Sequence, residues 1–330
     1  MTKTDLVRDY LTKHPNETSK KNIARQLMKV YPAQFTDLES ARATVRTVTG
    51  SHGNYHRSRI SSPELTKFFY NGFEKWASEN LNTEIAPWNE PFVIPNSITQ
   101  LTVIADLHSI HLDHRVLQLL LKKVKDKTAI LINGDLLDSE SLSRHLKGHN
   151  LIEYEKELEI CHQILKGLKE EFNHVYFKEG NHDFWLERYL LTNAREIFRL
   201  RGLSVKELLR CGELGVEHIH NLKYVQYGDL DICHGHEFPG FGMGKYPATG
   251  LIDKWQRFKK YVDVRVMCSH SHRADKGMSK KSVDGKFGLG WVTPAMCRKG
   301  AHYAPYAGWD NGWAELENKD GFTSVNIHVE

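Results

Sequence analysis

The sequence predicts an α/β fold that is preceded by a small all-helical region. Three short apolar runs, LTVIA (101–105), TAILI (128–132) and HVYF (174–177), are predicted as strands. Between them, residues 113–126 and 151–172 carry apolar side chains at helical spacing. This β-α-β-α-β order, with strands that are apolar on both faces, is typical of the buried centre of a sheet in an α/β protein.

The first part of the chain is predicted to be helical. Residues 4–14, residues 18–31 and a segment that opens near residue 36 have apolar positions three or four apart, and residues 63–80 predict a further helix. Residues 86–97 contain three prolines and are expected to form a linker. We therefore expect a helical region with its linker at 1–95 and a second domain at 96–330.

The positive charge of the chain is concentrated at its start. Residues 1–60 hold eleven Lys/Arg and five Asp/Glu, a net charge of +6, whereas the whole chain has a net charge of +4. Two interpretations are open: a solvated helical surface, or a module related to helix-turn-helix domains that faces nucleic acid.

The later part of the chain predicts more strands. Further strands are predicted at residues 222–227, 230–233 and 264–268, and the tail is predicted as two strands joined by a turn at Lys319–Gly321. We find no internal repeat.

Composition excludes several classes of protein. No apolar run reaches 18 residues and the N-terminus lacks an apolar signal core, so we expect a cytoplasmic protein without a membrane partner. The five cysteines are odd in number and form no CxxC motif, so neither a disulfide framework nor a thiolate zinc site is predicted.

Polar side chains follow the ends of five predicted strands. Since ligands of open α/β sheets bind at the carboxyl ends of the strands, groups far apart in sequence can converge there. Asp106 and His108 are two residues apart, so both point to the same side of a strand end. The further clusters are Asn133-Gly134-Asp135, Asn181-His182-Asp183, His234-Gly235-His236 and His270-Ser271-His272.

These clusters supply oxygen and nitrogen donors and no thiolate. Such a set suits Mn²⁺, Fe or Zn²⁺. It exceeds what one tetrahedral ion needs, and two ions that share a carboxylate would use it fully. Paired ions about 3.5–4 Å apart are a recurring solution for phosphoester hydrolysis.

The series of motifs resembles the calcineurin-like metallophosphoesterase superfamily over roughly residues 100–330. The motifs are DxH (Asp106, His108), GDxxD (Gly134, Asp135, Asp138), GNHD (Gly180 to Asp183), HG (His234, Gly235) and HxH (His270, His272). The resemblance implies a β-sandwich flanked by helices, with two divalent ions. Mn²⁺ is the expected ion, and Fe, Zn²⁺ or Ni²⁺ are alternatives.

The resemblance also implies a role for each residue. Asp135 would bridge the two ions, His182 would assist the leaving group, and Asp138 would hydrogen-bond to His182 and orient it. The first ion would be held by Asp106, His108 and His272, and the second by Asn181, His234 and His270.

The chain departs from the family at two places. Ser269 stands where the last motif usually has glycine. The segment GDLLDSE lacks the Arg and Gly that follow GDxxD in protein Ser/Thr phosphatases, so that branch is not predicted.

Other residues near the motifs have two readings each. His236 is expected to lie behind the ligands, with a third ligand or a substrate contact as the alternatives, and Asp183 is expected to orient a neighbouring loop. Arg273 and Arg144 are candidate substrate contacts through guanidinium–phosphate pairing, with a surface ion pair or a solvated loop as the alternative. His111 and His114 are expected in solvated loops, and residues 240–247 in a loop at the rim of the site.

We therefore expect a phosphodiesterase or nuclease that acts on nucleic acid or nucleotides by in-line attack of a metal-bridging hydroxide. The basic N-terminal region and the stretch KWQRFKKY (254–261) favour a nucleic-acid substrate, although a plain amphipathic helix explains that stretch equally well. The alternatives are a phosphomonoesterase of the same fold and a nucleic-acid-binding protein with a non-catalytic hydrolase scaffold.

Overall fold

A computed structural model of the chain describes residues 2–15, 17, 19–49, 90–143, 152–198, 200, 202–238, 240, 246–260, 262–279, 287–299 and 308–330. The helix predicted at 63–80, the candidate substrate contact Arg144 and most of the loop 240–247 lie outside these residues. The chain divides into two compact units, Met1–Glu84 and Ile85–Glu330.

The first unit contains the predicted helices α1 (Lys3–Lys13), α2 (Lys20–Val30) and α3 (Leu38–Thr49). Thr2 and Asp5 form a capping box at the start of α1, and the Ser19 hydroxyl caps α2. The buried faces of the three helices form one apolar core around Leu27 and Val45.

Seven residues, 31–37, connect α2 to α3, whereas a helix-turn-helix motif uses three or four, so the strict motif is not formed there.

The second unit is a sandwich of two six-stranded mixed sheets, which confirms the predicted fold class. One sheet is built from β2 (Gln100–Ile104), β3 (Ala129–Asn133), β4 (His174–Lys178), β5 (Val216–Ile219), β11 (Gly312–Lys319) and β12 (Phe322–Val329). The other is built from β1 (Phe92–Val93), β6 (Val225–Tyr227), β7 (Leu230–Ile232), β8 (Val264–Cys268), β9 (Asp275–Ser279) and β10 (Gly288–Val292). The strand orders are β12-β11-β2-β3-β4-β5 and β1-β6-β7-β8-β10-β9.

The strands are apolar on both faces because each sheet is covered on both sides. Leu131 and Tyr176 of one sheet share a core cluster with Ile232 and Met267 of the other, so this cluster fills the space between the sheets. The alternate residues of β2 to β4 face helices. These helices are α4 (His114–Lys123), α5 (Tyr154–Glu171), α7 (Val205–Leu208) and α8 (Cys211–Leu214), while α9 (Pro247–Phe258) covers the second sheet. Helix α6 (Trp185–Asn193) follows the loop after β4.

Two expectations about the second unit were wrong. The segment predicted as a linker contributes strand β1, which pairs in parallel with β6, and Ile94 and Ile98 beyond it are buried. Trp255 of the stretch KWQRFKKY is buried, and its indole N–H donates to Asp231, so it is not placed to stack on a base. The amphipathic-helix reading of that stretch is the one that the structure bears out.

All five cysteines are free and buried, in agreement with the sequence. Among the helices of the described residues, none combines the length and the apolar character that a membrane span requires.

The register of the strands places the polar clusters at one edge of the sandwich. Strands β2, β3 and β4 run in parallel, with Ile104 opposite Ile132 and Asn133 opposite Lys178. In the other sheet β7 and β8 are also parallel, with Ile232 opposite Met267. The loops that follow these five strands therefore leave the sandwich together.

Candidate metal centre

Five of the seven predicted ligands have left-handed backbone conformations. The φ angles are 49° at Asp106, 41° at His108, 53° at Asp135, 66° at His270 and 55° at His272. Each such residue costs of order 1–3 kcal/mol and persists only where its surroundings enforce it, typically at functional sites. The concentration of these residues after three strands, β2, β3 and β8, marks this edge as the site.

The first group of donors consists of Asp106, His108 and His272. The Nε2 atoms of the two imidazoles are 3.3 Å apart, and His272 Nε2 is 3.4 Å from Asp106 Oδ1. That oxygen is buried and has no hydrogen-bond partner among the described residues. A buried carboxylate oxygen without a donor is costly, and a cation between these three atoms removes the cost.

The tautomer of His108 supports the same conclusion. Its Nδ1 lies 2.9 Å from the carboxylate Oδ1 of Asp138, to which it donates a hydrogen bond. In the neutral ring, Nε2 then presents a lone pair toward the rest of the group, as in metal-binding histidines whose other nitrogen is held by a carboxylate.

The second group is formed by Asp135, Asn181, His234 and His270. His234 donates from Nδ1 to the carbonyl oxygen of Asn133, so its Nε2 lone pair faces Asp135 Oδ2 and Asn181 Oδ1, each 3.2 Å away. Asp135, His234 and His270 offer donor atoms within 4.8 Å of one another. Three acceptor atoms that converge in this way need a cation between them.

Asp135 lies between the two groups. Its Oδ2 is 3.2 Å from His234 Nε2 and 4.0 Å from His108 Nε2. The structure thus brings all seven predicted ligands together around one shared carboxylate, and the donor set fits two divalent cations.

Burial and neighbouring charges shift the pKa values of the histidines in the site. Burial opposes protonation of His234, but the Asp135 carboxylate outweighs it and raises the pKa to about 9. Burial likewise opposes protonation of His272, and Asp106 raises its pKa to about 10. Burial and the neighbouring His234 lower the pKa of His270 to about 4. The carboxylates therefore create a negative potential that attracts protons or other cations.

The family of the chain follows from a sequence comparison. The family model described as calcineurin-like phosphoesterase matches residues 99–274, which is more than half of the chain. The chain belongs to the calcineurin-like phosphoesterase family. Membership implies a phosphoester hydrolase with a metal site, and the clustered Asp and His side chains are the candidate ligands.

Solved structures resemble the chain at low sequence identity. A predicted phosphoesterase from Streptococcus pneumoniae TIGR4 is 15% identical, with 69% of this chain and 87% of that chain covered and a TM-score of 0.31. A metallophosphoesterase from Sphaerobacter thermophilus is 14% identical, with coverages of 70% and 89% and a TM-score of 0.35. No curated protein matches the chain.

The expected hydrogen bond between the side chains of His182 and Asp138 is not formed in this phosphoesterase. His182 Nδ1 bonds to the main-chain carbonyl of Asp138 at 2.6 Å, while the Asp138 carboxylate is 3.9 Å away and is used by His108. The indole of Trp185 stacks on His182, with ring centroids 4.2 Å apart. Asp138 therefore orients a predicted ligand with its side chain and His182 with its backbone.

Two buried carboxylates hold the loops that carry these residues. Asp183 accepts hydrogen bonds from the backbone N–H groups of Gly180, Asp135 and Leu137, which confirms that it orients a neighbouring loop. Glu157 of α5 accepts from the N–H groups of Asp138 and Ser139. Glu157 was not predicted as a functional residue, although an acidic residue on the buried face of a predicted helix is a signal that indicates such a role.

Ser269, which replaces the usual glycine of the family, has a partner of its own. Its hydroxyl accepts from the side-chain N–H of Asn133, and the main-chain carbonyl of Asn133 accepts from His234 Nδ1. The backbone of Ser269 is not left-handed, so glycine is not required there. The substitution links the last motif to the second.

The remaining predicted residues lie around this centre. His236 is close to His234, with ring centroids 5.4 Å apart, but it belongs to none of the groups with ligand spacing among the described residues. Arg273 is half-buried beside His272 in the chain, and its role as a substrate contact stays a prediction. His111 was expected in solvent, but its Nε2 atom is buried 3.9 Å from Asp138 Oδ2, whereas His114 is exposed at the start of α4.

A buried ion pair that the sequence did not reveal joins two of the loops. Lys178, at the end of β4, is fully buried, and its ammonium donates to Glu237 Oε1 at 3.0 Å and to the carbonyl of Glu179. Glu237 also accepts from the backbone N–H groups of His234 and Gly235. The pair thereby ties the loop of Asn181 and His182 to the loop of His234.

Gly180→Ala is expected to disrupt the shared carboxylate. A Cβ atom at this position would lie 2.2 Å from Asp135 Oδ1 and 2.6 Å from the Asp135 backbone nitrogen, so Asp135 must move. We expect the purified variant to contain less divalent cation per chain than wild type in elemental analysis.

The control for this experiment is Gly167→Ala in α5, where a Cβ atom meets nothing within 4 Å. It should keep its cations and gain roughly 0.5–1 kcal/mol of stability from helix propensity. Full cation content in Gly180→Ala would show that Asp135 is not held as described.

Glu237→Gln is expected to destabilise the second unit by about 3–5 kcal/mol at pH 7, because it leaves Lys178 charged and unpaired in the interior. Burial opposes ionisation of Glu237, but Lys178 outweighs it and holds the pKa well below its ordinary value of 4.5. The ionised pair therefore contributes fully above about pH 4.5, and its contribution declines as the pH falls below this. The measurement is urea denaturation at pH 7 and at pH 3.5.

The difference in free energy of unfolding between wild type and Glu237→Gln should be smaller at pH 3.5 than at pH 7. Glu213→Gln, which removes an exposed ion pair with Arg210, serves as the control and should be close to wild type at both values. An equal difference at both pH values would contradict the predicted linkage.

Proposed function

We propose that the chain is a metal-dependent phosphodiesterase or nuclease that acts on nucleic acid or nucleotides. The observation that carries the proposal is the convergence of two groups of buried donors on Asp135, with His182 beside them. An arrangement of this kind suits a phosphoester, whose charge two cations can neutralise.

Asp106, His108 and His272 would hold one ion and Asn181, His234 and His270 the other, with Asp135 shared. Mn²⁺ is the proposed ion, because the donors are carboxylate, amide and imidazole groups without thiolate. When bound, two divalent cations supply a water-derived nucleophile at neutral pH and neutralise the phosphate oxygens.

His182 is the proposed proton donor. Its Nδ1 is committed to the Asp138 carbonyl, so Nε2 is the nitrogen that remains for the substrate. The His182 side chain is 19% exposed, whereas the predicted ligand His234 is fully buried. A protonated imidazole at the mouth of the site can give its proton to the departing alkoxide of an in-line displacement.

Two tryptophans support a nucleotide or nucleic-acid substrate. Trp185 packs on His182, and the ring of Trp309 lies 4.4 Å from that of His272, centroid to centroid. Indole surfaces beside a phosphate site are suited to stack on nucleobases.

His182→Asn should lower kcat by about 10²–10⁴ without changing the cation content, because the residue is a proton donor and not a ligand. His108→Asn should lose both activity and cations, and the exposed His114→Asn should lose neither. The measurements are steady-state turnover and elemental analysis of the same preparations. A parallel loss of cations and turnover in His182→Asn would refute its role as the acid.

The substrate class is tested with Mn²⁺-loaded protein on bis-p-nitrophenyl phosphate and on p-nitrophenyl phosphate. A diesterase should hydrolyse the first with the higher kcat/KM, and the same preparation should release nucleotides from DNA or RNA. A preference for the monoester would replace the proposal with a phosphomonoesterase. Absence of any hydrolysis with Mn²⁺, Fe²⁺, Zn²⁺ or Ni²⁺ would leave only a scaffold function.

A further inference from the structure

Helix α2 exposes a face that is cationic and polar. We call the side chains of Lys21, Asn22, Arg25, Gln26 and Lys29 the α2 face, and all five are exposed. At about 100° per residue they cover one continuous side of the helix. The opposite side, with Ile23, Ala24 and Leu27, is buried in the core of the first unit, so the orientation of the α2 face is fixed.

The charges of the α2 face are not neutralised by ion pairs among the described residues. Helix α2 carries four Lys or Arg residues and no acidic residue. Three basic residues in the neighbouring helices are paired, namely Arg8 with Asp5, Lys13 with Asp9 and Arg42 with Glu39. Lys21, Arg25 and Lys29 make no ion pair within the described residues of the chain.

The position of Lys21 also opposes the helix dipole. Helices α1 and α3 have Asp5 and Glu39 in their first turns, whereas the first turn of α2 has no acidic residue and contains Lys21. A cation near a helix N-terminus destabilises the helix by roughly 0.3–1 kcal/mol. Glu17 accepts from the N–H of Ser19 at this end of α2, but the helix itself carries no acidic side chain to offset Lys21. An external anion would relieve this unfavourable placement of charge.

The side-chain types of the α2 face indicate which kind of polyanion it can bind. Its side chains are cations and amides, and Asn22 and Gln26 belong to the residue types that bind adenine edges in the major groove. The face has no aromatic ring for stacking on single strands. The major groove of A-form RNA is too narrow for side chains to read, whereas that of B-form DNA is about 12 Å wide and admits a helix. An anionic membrane would require an exposed apolar face, and the apolar face of α2 is buried.

We propose that the α2 face docks in the major groove of duplex DNA. The inference rests on the proposed function, since it assumes that nucleic acid is the substrate, and it adds the surface and the form of nucleic acid that is bound. Lys21, Arg25 and Lys29 would contact phosphates, and Asn22 and Gln26 would lie nearest the base edges.

The test compares the full chain with the triple variant Lys21→Gln, Arg25→Gln, Lys29→Gln. Glutamine has good helix propensity, so α2 should stay folded. Binding to a fluorescent 30-base-pair DNA duplex is measured by anisotropy at several salt concentrations, in a His182→Asn background that prevents cleavage. The matched control changes three exposed lysines of the second unit, Lys122, Lys125 and Lys166, to Gln, which alters the net charge equally.

We expect the triple variant to bind duplex DNA at least tenfold more weakly than the control. The slope of log K against log[salt] should fall by about 2–3, since roughly 0.9 counterions are released per phosphate contact. With the native His182, both variants should hydrolyse bis-p-nitrophenyl phosphate as well as wild type. Equal DNA affinities of the triple variant and the control would overturn the inference, as would tighter binding of wild type to single-stranded DNA, duplex RNA or anionic vesicles.

The two proposals fail in different ways. A chain that hydrolyses bis-p-nitrophenyl phosphate but does not bind duplex DNA disproves the α2 inference and leaves the phosphodiesterase intact. A chain that binds DNA through α2 but hydrolyses no phosphoester with any divalent metal disproves the phosphodiesterase and leaves the α2 face.

Discussion

The concentration of buried negative charge and acceptor atoms around Asp135 is the constraint on which the rest of the site depends. Carboxylate and amide oxygens and imidazole nitrogens lie within about 3–4 Å of one another in the interior, and hydrogen bonds from Nδ1 of His108 and His234 to Asp138 and Asn133 turn the Nε2 atoms of both rings inward. In a medium of low polarity this arrangement is unfavourable unless positive charge lies between the donors. The donors are therefore arranged for cations, and much of the surrounding structure serves to keep them in place.

The means of holding the donors is mostly backbone geometry. Left-handed ligand residues follow three of the strands, and Gly134 and Gly180 leave space for His234 and Asp135. Buried carboxylates at Asp183 and Glu157 and the ion pair of Lys178 and Glu237 then fix the loops to one another. Strain of this kind is sustained because the sandwich beneath it has two apolar clusters that pack its strands on both faces.

Two residues of the site, Asp138 and Asn133, each position two partners through different atoms. Asp138 uses its carboxylate for His108 and its carbonyl for His182, so one residue sets both a predicted ligand and the predicted proton donor. Asn133 similarly donates to Ser269 from its side chain and accepts from His234 with its main-chain carbonyl. A displacement of Asp138 would therefore affect both a predicted ligand and the predicted proton donor, whereas a displacement of Asn133 would affect the predicted ligand His234.

Local patterns in the sequence predicted the first three helices, the seven candidate ligands and, in the second unit, helices α4 and α5 and strands β2, β3, β4, β6, β7, β8, β11 and β12. Strands β1, β5, β9 and β10 and helices α6 to α8 were not predicted. The predicted features depend on short-range patterns, namely apolar periodicity and polar residues directly after a strand. Other features follow only from the tertiary structure. They include the bond of His182 Nδ1 to the main-chain carbonyl of Asp138 and the ion pair of Lys178 with Glu237, fifty-nine positions away. They also include the strand in the proline-rich segment and the burial of Trp255. Each of these depends on the register between distant segments, and no local pattern encodes the distance between two loops that meet only after the sheets have packed.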